Sequence, residues 1–455
     1  MWDFKIVESG KPRYLQIADA LENDILSGEI PPGRKLMTHR VLAQITGVTV
    51  STVTRAYAEA ERRGLIKTMV GKGTFVLSMA PATEPSAWQG PVIEMGVPMP
   101  LFLEEPSVRP VLQKIIHEED VDALVKSFAP FGYAHHREVA AGWMRRYGVD
   151  ATADTLLMAA GHPHALGTIF HTFFRYGDKI AVDQMTNPSV ISVAQHLGFD
   201  LKAVKMDGDG MIPEELDALC QSEEIKGLYL KAGIQYGSVK VLPAKRQEAL
   251  AKVIERHHLI LVEDGSYASP EDGNSSTVSA LLPESSMFFS SFSTVMYSAL
   301  RVGFIHAAPK FHTRLAQAIV ENMWTVPPLC VAVVCECITS GMAERAVEQK
   351  RKEVARRVSL LQDKFAEFDV ISSEQAIYAW LHLPDSWKSR DFEYMAEKSG
   401  VRVFATDRLA VPGTDAPNSI RISITGPPDM NTFKKGLEIL VSLLKREGGV
   451  INPIW

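Results

Sequence analysis

The sequence predicts an α/β protein in three folded parts: a small helix-turn-helix module, a large domain with a mainly parallel sheet, and a smaller α+β domain. Three observations carry this. Between His39 and Arg63 a short helical run, a turn containing Gly47 and a second helical run follow one another, and two strand-like runs come next. Residues 79–91 hold three prolines and no apolar period, the composition of an extended tether. From Val92 onward strand-like and helix-like segments alternate, which is the signature of a parallel sheet built from strand-helix units.

The expected boundaries are therefore 1–78 for the helix-turn-helix module, 79–91 for the linker, 92–340 for the large domain and 341–455 for the small one. With 455 residues, 46% of them hydrophobic, the chain exceeds one ordinary core and suits two or three. It has no uninterrupted apolar run of membrane-spanning length, and its first residues lack the apolar stretch of a signal peptide. A cytoplasmic protein without a membrane partner is expected. The four cysteines, Cys220, Cys330, Cys335 and Cys337, form no paired CxxC motifs and read as reduced core thiols, so no metal ligand is assigned. A net charge of -6 would argue against nucleic acid if it were uniform. Lys35, His39, Arg40, Arg55, Arg62, Arg63, Lys67 and Lys72 instead crowd the first module, and basic charge supplies the salt-dependent part of DNA affinity.

Within that module the apolar residues Leu15, Ile17, Ala18, Leu21 and Ile25 recur at helical spacing over Arg13 to Leu26, and the glycine- and proline-rich run 27–33 stops the helix. His39 to Ile45 and Ser51 to Arg63 read as the two helices flanking the turn. The runs 64–69 and 73–77, on either side of Val70-Gly71-Lys72, read as a two-stranded wing. Thr49, Ser51, Thr52 and Arg55 lie at the start of the second helix, where hydroxyls and a guanidinium reach base edges or phosphates; for Thr49 and Ser51 helix capping is the competing role. Lys72 between two glycines suits a wing tip in the minor groove.

The stretch resembles the winged helix-turn-helix of GntR-type bacterial transcription regulators over about 70 residues. The matching pieces include Gly28-Glu29-Ile30-Pro31-Pro32-Gly33, Arg40-Val41-Leu42-Ala43, Ser51 to Tyr57 and Gly71 to Val76. The resemblance implies that operator double-stranded DNA is contacted by Thr38, His39, Arg40, Thr49, Ser51, Thr52, Arg55, Lys72 and Gly73.

The remainder is similar to the aminotransferase-like half of MocR/GabR-type regulators, hence to fold-type I aminotransferases. Ile93 to Pro98 looks like the opening strand and Gly-x-Pro. Leu156 to Leu166, with Gly161 and His162, looks like the strand, turn and helix start that cradle the phosphate of pyridoxal 5'-phosphate, although Pro163 removes one N–H donor there. Asn187 replaces an aromatic residue, and the loop Lys231 to Gly237 is shortened. Asp264 and Tyr267 keep the positions that pair with the pyridine nitrogen and the 3'-hydroxyl. In Ser290 to Phe304, Ser291, Ser293 and Arg301 keep the phosphate-binding positions, and Thr294 stands where the family carries the Schiff-base lysine. Arg421 matches the arginine that grips a substrate carboxylate.

A hydroxyl cannot form an imine, so no catalytic residue is assigned and no covalent cofactor is expected. The reading is a transcription regulator whose sensor half is catalytically inactive and binds a phosphorylated or carboxylated effector, pyridoxal phosphate or pyridoxamine phosphate among them, without a covalent bond. The family further implies a homodimer. Two alternatives remain, an aminotransferase-like enzyme using another lysine such as Lys231, and a constitutive DNA-binding dimer without a ligand.

Overall fold

The computed structural model describes residues 11–26, 30, 34–63, 65–69, 73–76, 92–99, 101, 107–126, 129–268 and 277–445. The predicted linker 79–91, Lys72 and most of the turn at 27–33 lie outside these residues. The chain divides into two compact units, Met1–Ser86 and Ala87–Trp455.

In the first unit α1 (Arg13–Leu26), α2 (His39–Thr46) and α3 (Val50–Arg62) precede two antiparallel strands, β1 (Ile66–Met69) and β2 (Gly73–Val76). The apolar spacing of α1 puts Ile17, Leu21 and Ile25 against Leu42 of α2, Val53, Ala56 and Ala60 of α3, and Ile66 and Val76 of the wing. Thr38 caps α2 by accepting from the Val41 N–H, and Gly47 ends that helix in the left-handed conformation. Tyr57 donates its hydroxyl to the Met37 carbonyl at 2.8 Å, tying α3 to the segment ahead of α2. The module is thus a three-helix core with a two-stranded wing.

The second unit is built on a seven-stranded sheet. Its strands are β3 (Leu156–Ala159), β4 (Lys179–Asp183), β5 (Asp200–Val204), β6 (Ile225–Lys231), β7 (Ile260–Asp264), β8 (Ser286–Ser291) and β9 (Gly303–Ala307). The order is β3-β9-β8-β7-β6-β4-β5, with β9 antiparallel to both neighbours and every other pair parallel. β3, β7, β8 and β9 are buried almost throughout, as strands covered on both faces must be. α4 (Arg109–Glu118), α5 (Ala134–Arg145) and α6 (His162–Phe173) belong to this part.

The long helix α7 (Met342–Lys364) leads to a second sheet of β10 (Val370–Ile371), β11 (Tyr378–His382), β12 (Phe404–Ala405) and β13 (Ser419–Ser423), in the order β10-β11-β13-β12 and wholly antiparallel. One boundary differs from expectation. Residues 93–95 and Leu101, assigned from sequence to the large domain, pack with the small one: Ile93–Glu94 pairs with Val401–Arg402, and Met95 and Leu101 enter the core formed by Val358, Ile420, Ile422 and Phe433. The pairing joins residues some three hundred positions apart, which no local pattern signals.

Candidate functional site

The candidate DNA face is the exposed side of α2 and α3. Thr38, Arg40, Thr49, Ser51 and Arg55 are exposed, and His39 and Thr52 are half-buried. The capping question resolves in favour of Thr49, whose hydroxyl accepts from the Thr52 N–H at 3.2 Å and lies 2.9 Å from the Thr52 hydroxyl. Ser51 sits one residue inside α3. Arg55 is held rather than loose: its guanidinium stacks over the Tyr14 ring at 4.2 Å, an arrangement that limits side-chain entropy loss on binding. His39 packs against Tyr57 at 4.8 Å. Gly73 opens β2.

Two of the basic residues pair with carboxylates of the same module. Arg63 bonds Asp19, Glu22 and Glu59, and Arg62 bonds Glu59. The two arginines hold the Glu59 carboxyl down at about 2, against the opposing effect of its burial. These carboxylates balance their charge, although Arg62 stays exposed at the end of α3; Arg40 and Arg55 are the other exposed arginines of the two helices. Sequence reasoning overlooked Val50, which is 45% exposed at the start of α3 where an apolar group meets a thymine methyl in a major groove.

The second candidate site gathers at the carboxyl ends of the parallel strands, where α/β sheets bind ligands. Asp183, Lys231, Asp264 and Ser291 are the last residues of β4, β6, β7 and β8. The segment after β8 makes a 3-10 turn, Phe292–Thr294, in which Ser291 accepts from the Ser293 N–H. Thr294 donates its hydroxyl to the Ser291 carbonyl at 2.9 Å. Arg301 adopts a left-handed backbone with φ 53° and donates to the Ser293 hydroxyl at 3.1 Å. Across from it Gly161 precedes α6 with φ 76°, and a Cβ there would lie 2.4 Å from Arg301 Nη2. Only glycine leaves room for the guanidinium beside the helix start. Ser291, Ser293, Arg301 and the first amides of α6 thus form a cup that suits an anion.

Asp264 is buried and fully engaged. Its Oδ2 accepts from Tyr229 at 2.6 Å and lies 2.9 Å from His162 Nε2, and its Oδ1 accepts from the Ser266 N–H at 2.9 Å. Burial raises its carboxyl, but the His162 charge and these hydrogen bonds outweigh that and hold it well below the usual carboxylate range. Burial likewise lowers His162, and Asp264 outweighs it, leaving the imidazole raised. Sequence reasoning placed His162 at the phosphate cup; the structure adds its pairing with Asp264, for which the spacing of 102 residues offers no signal. A group with a raised folded value stabilises fully below its unfolded value near 6.5 and loses that contribution as pH rises through the folded value; the lowered carboxyl stabilises above about 4 and loses it on acidification. The melting-temperature gap between the wild type and His162→Gln is therefore expected to be widest between about pH 4 and 6.5 and to shrink at alkaline pH. An unchanging gap would contradict the pair.

Lys231 is buried inside three tyrosines. It donates to the Ile234 carbonyl and the Tyr378 hydroxyl, with its ammonium 4.4, 4.6 and 5.9 Å from the Tyr236, Tyr378 and Tyr267 rings. Burial pushes it down to about 7, with Asp264 and Asp183 opposing and Arg421 assisting. Tyr267 is half-buried, and with Thr294, Met99, Lys350, Arg351 and Ile377 it borders a cavity of about 120 Å³ between the two sheets' domains. Lys350 of α7 reaches the Val295 carbonyl beneath Thr294. Arg421 is only 5% exposed, so it is not a solvent-facing strand residue. It donates to the Gly96 carbonyl at 2.7 Å and lies over Phe404 at 4.7 Å, while its Nε is buried without a hydrogen-bond partner.

The chain joins a helix-turn-helix domain of the gntR type to a domain of the aminotransferase class I and II fold. Residues 91–435 match the family described as aminotransferase class I and II, and residues 13–76 match bacterial regulatory proteins, gntR family. The first match spans most of the chain, which belongs to that family. Among curated relatives, an uncharacterized HTH-type transcriptional regulator, YdeF of Bacillus subtilis (strain 168), is 29% identical over 447 residues, covering 97% of this chain and 96% of that one. The vitamin B6 salvage pathway transcriptional repressor PtsJ of Salmonella typhimurium is 24% identical over 428 residues, covering 92% and 96%. Among solved structures, a kynurenine aminotransferase of Pyrococcus horikoshii superposes with a TM-score of 0.70 at 21% identity, covering 79% of this chain and 92% of that one. Among the described residues no helix is long and apolar enough to cross a membrane.

The cofactor that this fold family implies can be tested against these residues. The anion cup with its glycine cradle suits a phosphate, Asp264 is a carboxylate of the kind that pairs with a protonated ring nitrogen although His162, Tyr229 and Ser266 already occupy its oxygens, and Tyr267 lies at the same end of the sheet. At Thr294 the side chain offers a hydroxyl already committed to a backbone carbonyl.

Proposed function

We propose that the protein is a sequence-specific, homodimeric transcription regulator whose aminotransferase-like domain is catalytically inactive and senses a small phosphorylated or carboxylated effector. What supports this reading is the grouping of Ser291, Ser293, Arg301 and Gly161 into an anion cup beside Thr294, the position at which the family resemblance expects the reactive amine. Pyridoxal phosphate would supply an electrophilic aldehyde and an electron-accepting ring when bound. On this chain Arg301, Ser291 and Ser293 would hold its phosphate, Asp264 its ring nitrogen and Tyr267 its hydroxyl, while Arg421 would bind a carboxylate. A vitamin B6-type effector also agrees with the relative named as a repressor of vitamin B6 salvage. Without a covalent bond such a ligand exchanges freely, which suits concentration sensing, and it shifts the protein between two arrangements only to the extent that it prefers one.

DNA recognition is assigned to α2, α3 and the wing, with Arg40, Arg55, Thr38, His39, Thr49, Ser51, Thr52, Gly73 and Lys72 at the duplex. Arg55→Ala is expected to weaken binding by about 1–3 kcal/mol and to relax preference at one base position. A gel-shift series in which affinity and preference are both unchanged would refute the assignment.

A further inference from the structure

The histidine-rich start of α5 forms a cluster that neither the anion cup nor the DNA face uses. Glu119 caps the end of α4, its N–H bonded to the Ile115 carbonyl. His135 and His136 follow Tyr133 in the first turn of α5. Folding brings the three together: His136 Nε2 and His135 Nε2 lie 3.6 and 3.8 Å from Glu119 Oε2, and one ligand atom from each of the three lies within 4.8 Å of the others. The two imidazoles are 4.1 Å apart, tilted by 54°.

The independent sign of a ligand is His136. Its ring is 1% exposed, yet neither Nδ1 nor Nε2 has a hydrogen-bond partner among the described residues. A buried polar group left unpaired costs about 1–3 kcal/mol, and a neutral imidazole is the form in which histidine binds metals. Burial, with the neighbouring His135, keeps that ring neutral, down at about 4.

We propose that Glu119, His135 and His136 bind a zinc-type divalent transition metal, with solvent in the fourth position. Two imidazoles and one carboxylate are a donor set that favours zinc over the hard cations magnesium and calcium. Tetrahedral zinc with bonds of about 2.0–2.2 Å sets its ligand atoms roughly 3.3–3.5 Å apart, so the observed separations from Glu119 close with side-chain shifts of a few tenths of an ångström. Cys335 stands next to this set without joining it. Its thiol donates to the His136 carbonyl at 3.6 Å, and burial together with the Glu119 charge holds it protonated. The bound ion pins the end of α4 to the first turn of α5.

The test uses the full-length protein, stripped with a chelator and titrated with zinc against a chromogenic competitor. One zinc per chain is expected, with affinity reduced on the order of tenfold or more in Glu119→Gln and in His136→Ala. His196→Ala, an exposed histidine elsewhere, should leave it unchanged. Glu119 is partly exposed, so Glu119→Gln keeps the test valid if the buried His136 variant fails to fold, with circular dichroism as the check. Cobalt in place of zinc should give the visible absorption of a four-coordinate site. Failure to retain zinc, or equal affinity in wild type and Glu119→Gln, overturns the assignment.

Discussion

Arg357→Ala is expected to destabilise the aminotransferase-like unit by about 3–5 kcal/mol, read as a shift of its urea transition in the full-length protein. Arg357 is completely buried in α7. It bonds Glu353 at 3.0 Å one helical turn away, and donates to the carbonyls of Ile424 and Pro427 at 3.1 and 2.7 Å, with its guanidinium 5.5 Å from the Phe433 ring. Truncation strips the partner from Glu353 and leaves two buried carbonyls unsatisfied, and each such loss is costly where water cannot replace it. Those carbonyls follow β13, the strand that carries Arg421, so the clamp also steadies one wall of the candidate pocket. Arg357→Met keeps the stem's packing while losing the same bonds, and should recover part of the loss. A cost below about 1 kcal/mol for the alanine variant would show that the clamp is dispensable.

Arg301→Ala is expected to weaken binding of pyridoxal phosphate by about 1.5–3 kcal/mol, roughly a 10- to 150-fold rise in Kd measured by calorimetry. The guanidinium is pre-positioned by its bond to Ser293 and by the space beside Gly161, so little ordering is needed on binding. Arg301→Lys restores the charge without the planar fork and should recover only part of the affinity. Equal heats in wild type and Arg301→Ala, or none in either, would leave the structural-dimer reading in place of effector sensing.

What the sequence reveals follows the range of the interactions involved. α1 was predicted over Arg13 to Leu26 and occurs there, because local apolar spacing and a following stop define it. The wing was legible from strand-like runs around a glycine turn. The phosphate role of Ser291, Ser293 and Arg301 was expected from a family resemblance carried by one short segment, within which the structure bonds Arg301 to Ser293. The pairing of His162 with Asp264, the clustering of Glu119 with His135 and His136, and the entry of Met95 into the small domain's core each join distant stretches, and composition carries no trace of them. Charge was half legible: counting Arg62 and Arg63 as basic surface overlooked Asp19, Glu22 and Glu59, which α1 and α3 bring against them.

The most direct test of the central claim is selection of bound duplexes from a random pool by the full-length protein, with and without pyridoxal phosphate. The account predicts enrichment of one sequence with two related half-sites, as a dimer of winged modules requires, and a change in its affinity when the ligand is present. Recovery of an unenriched pool under both conditions would contradict it.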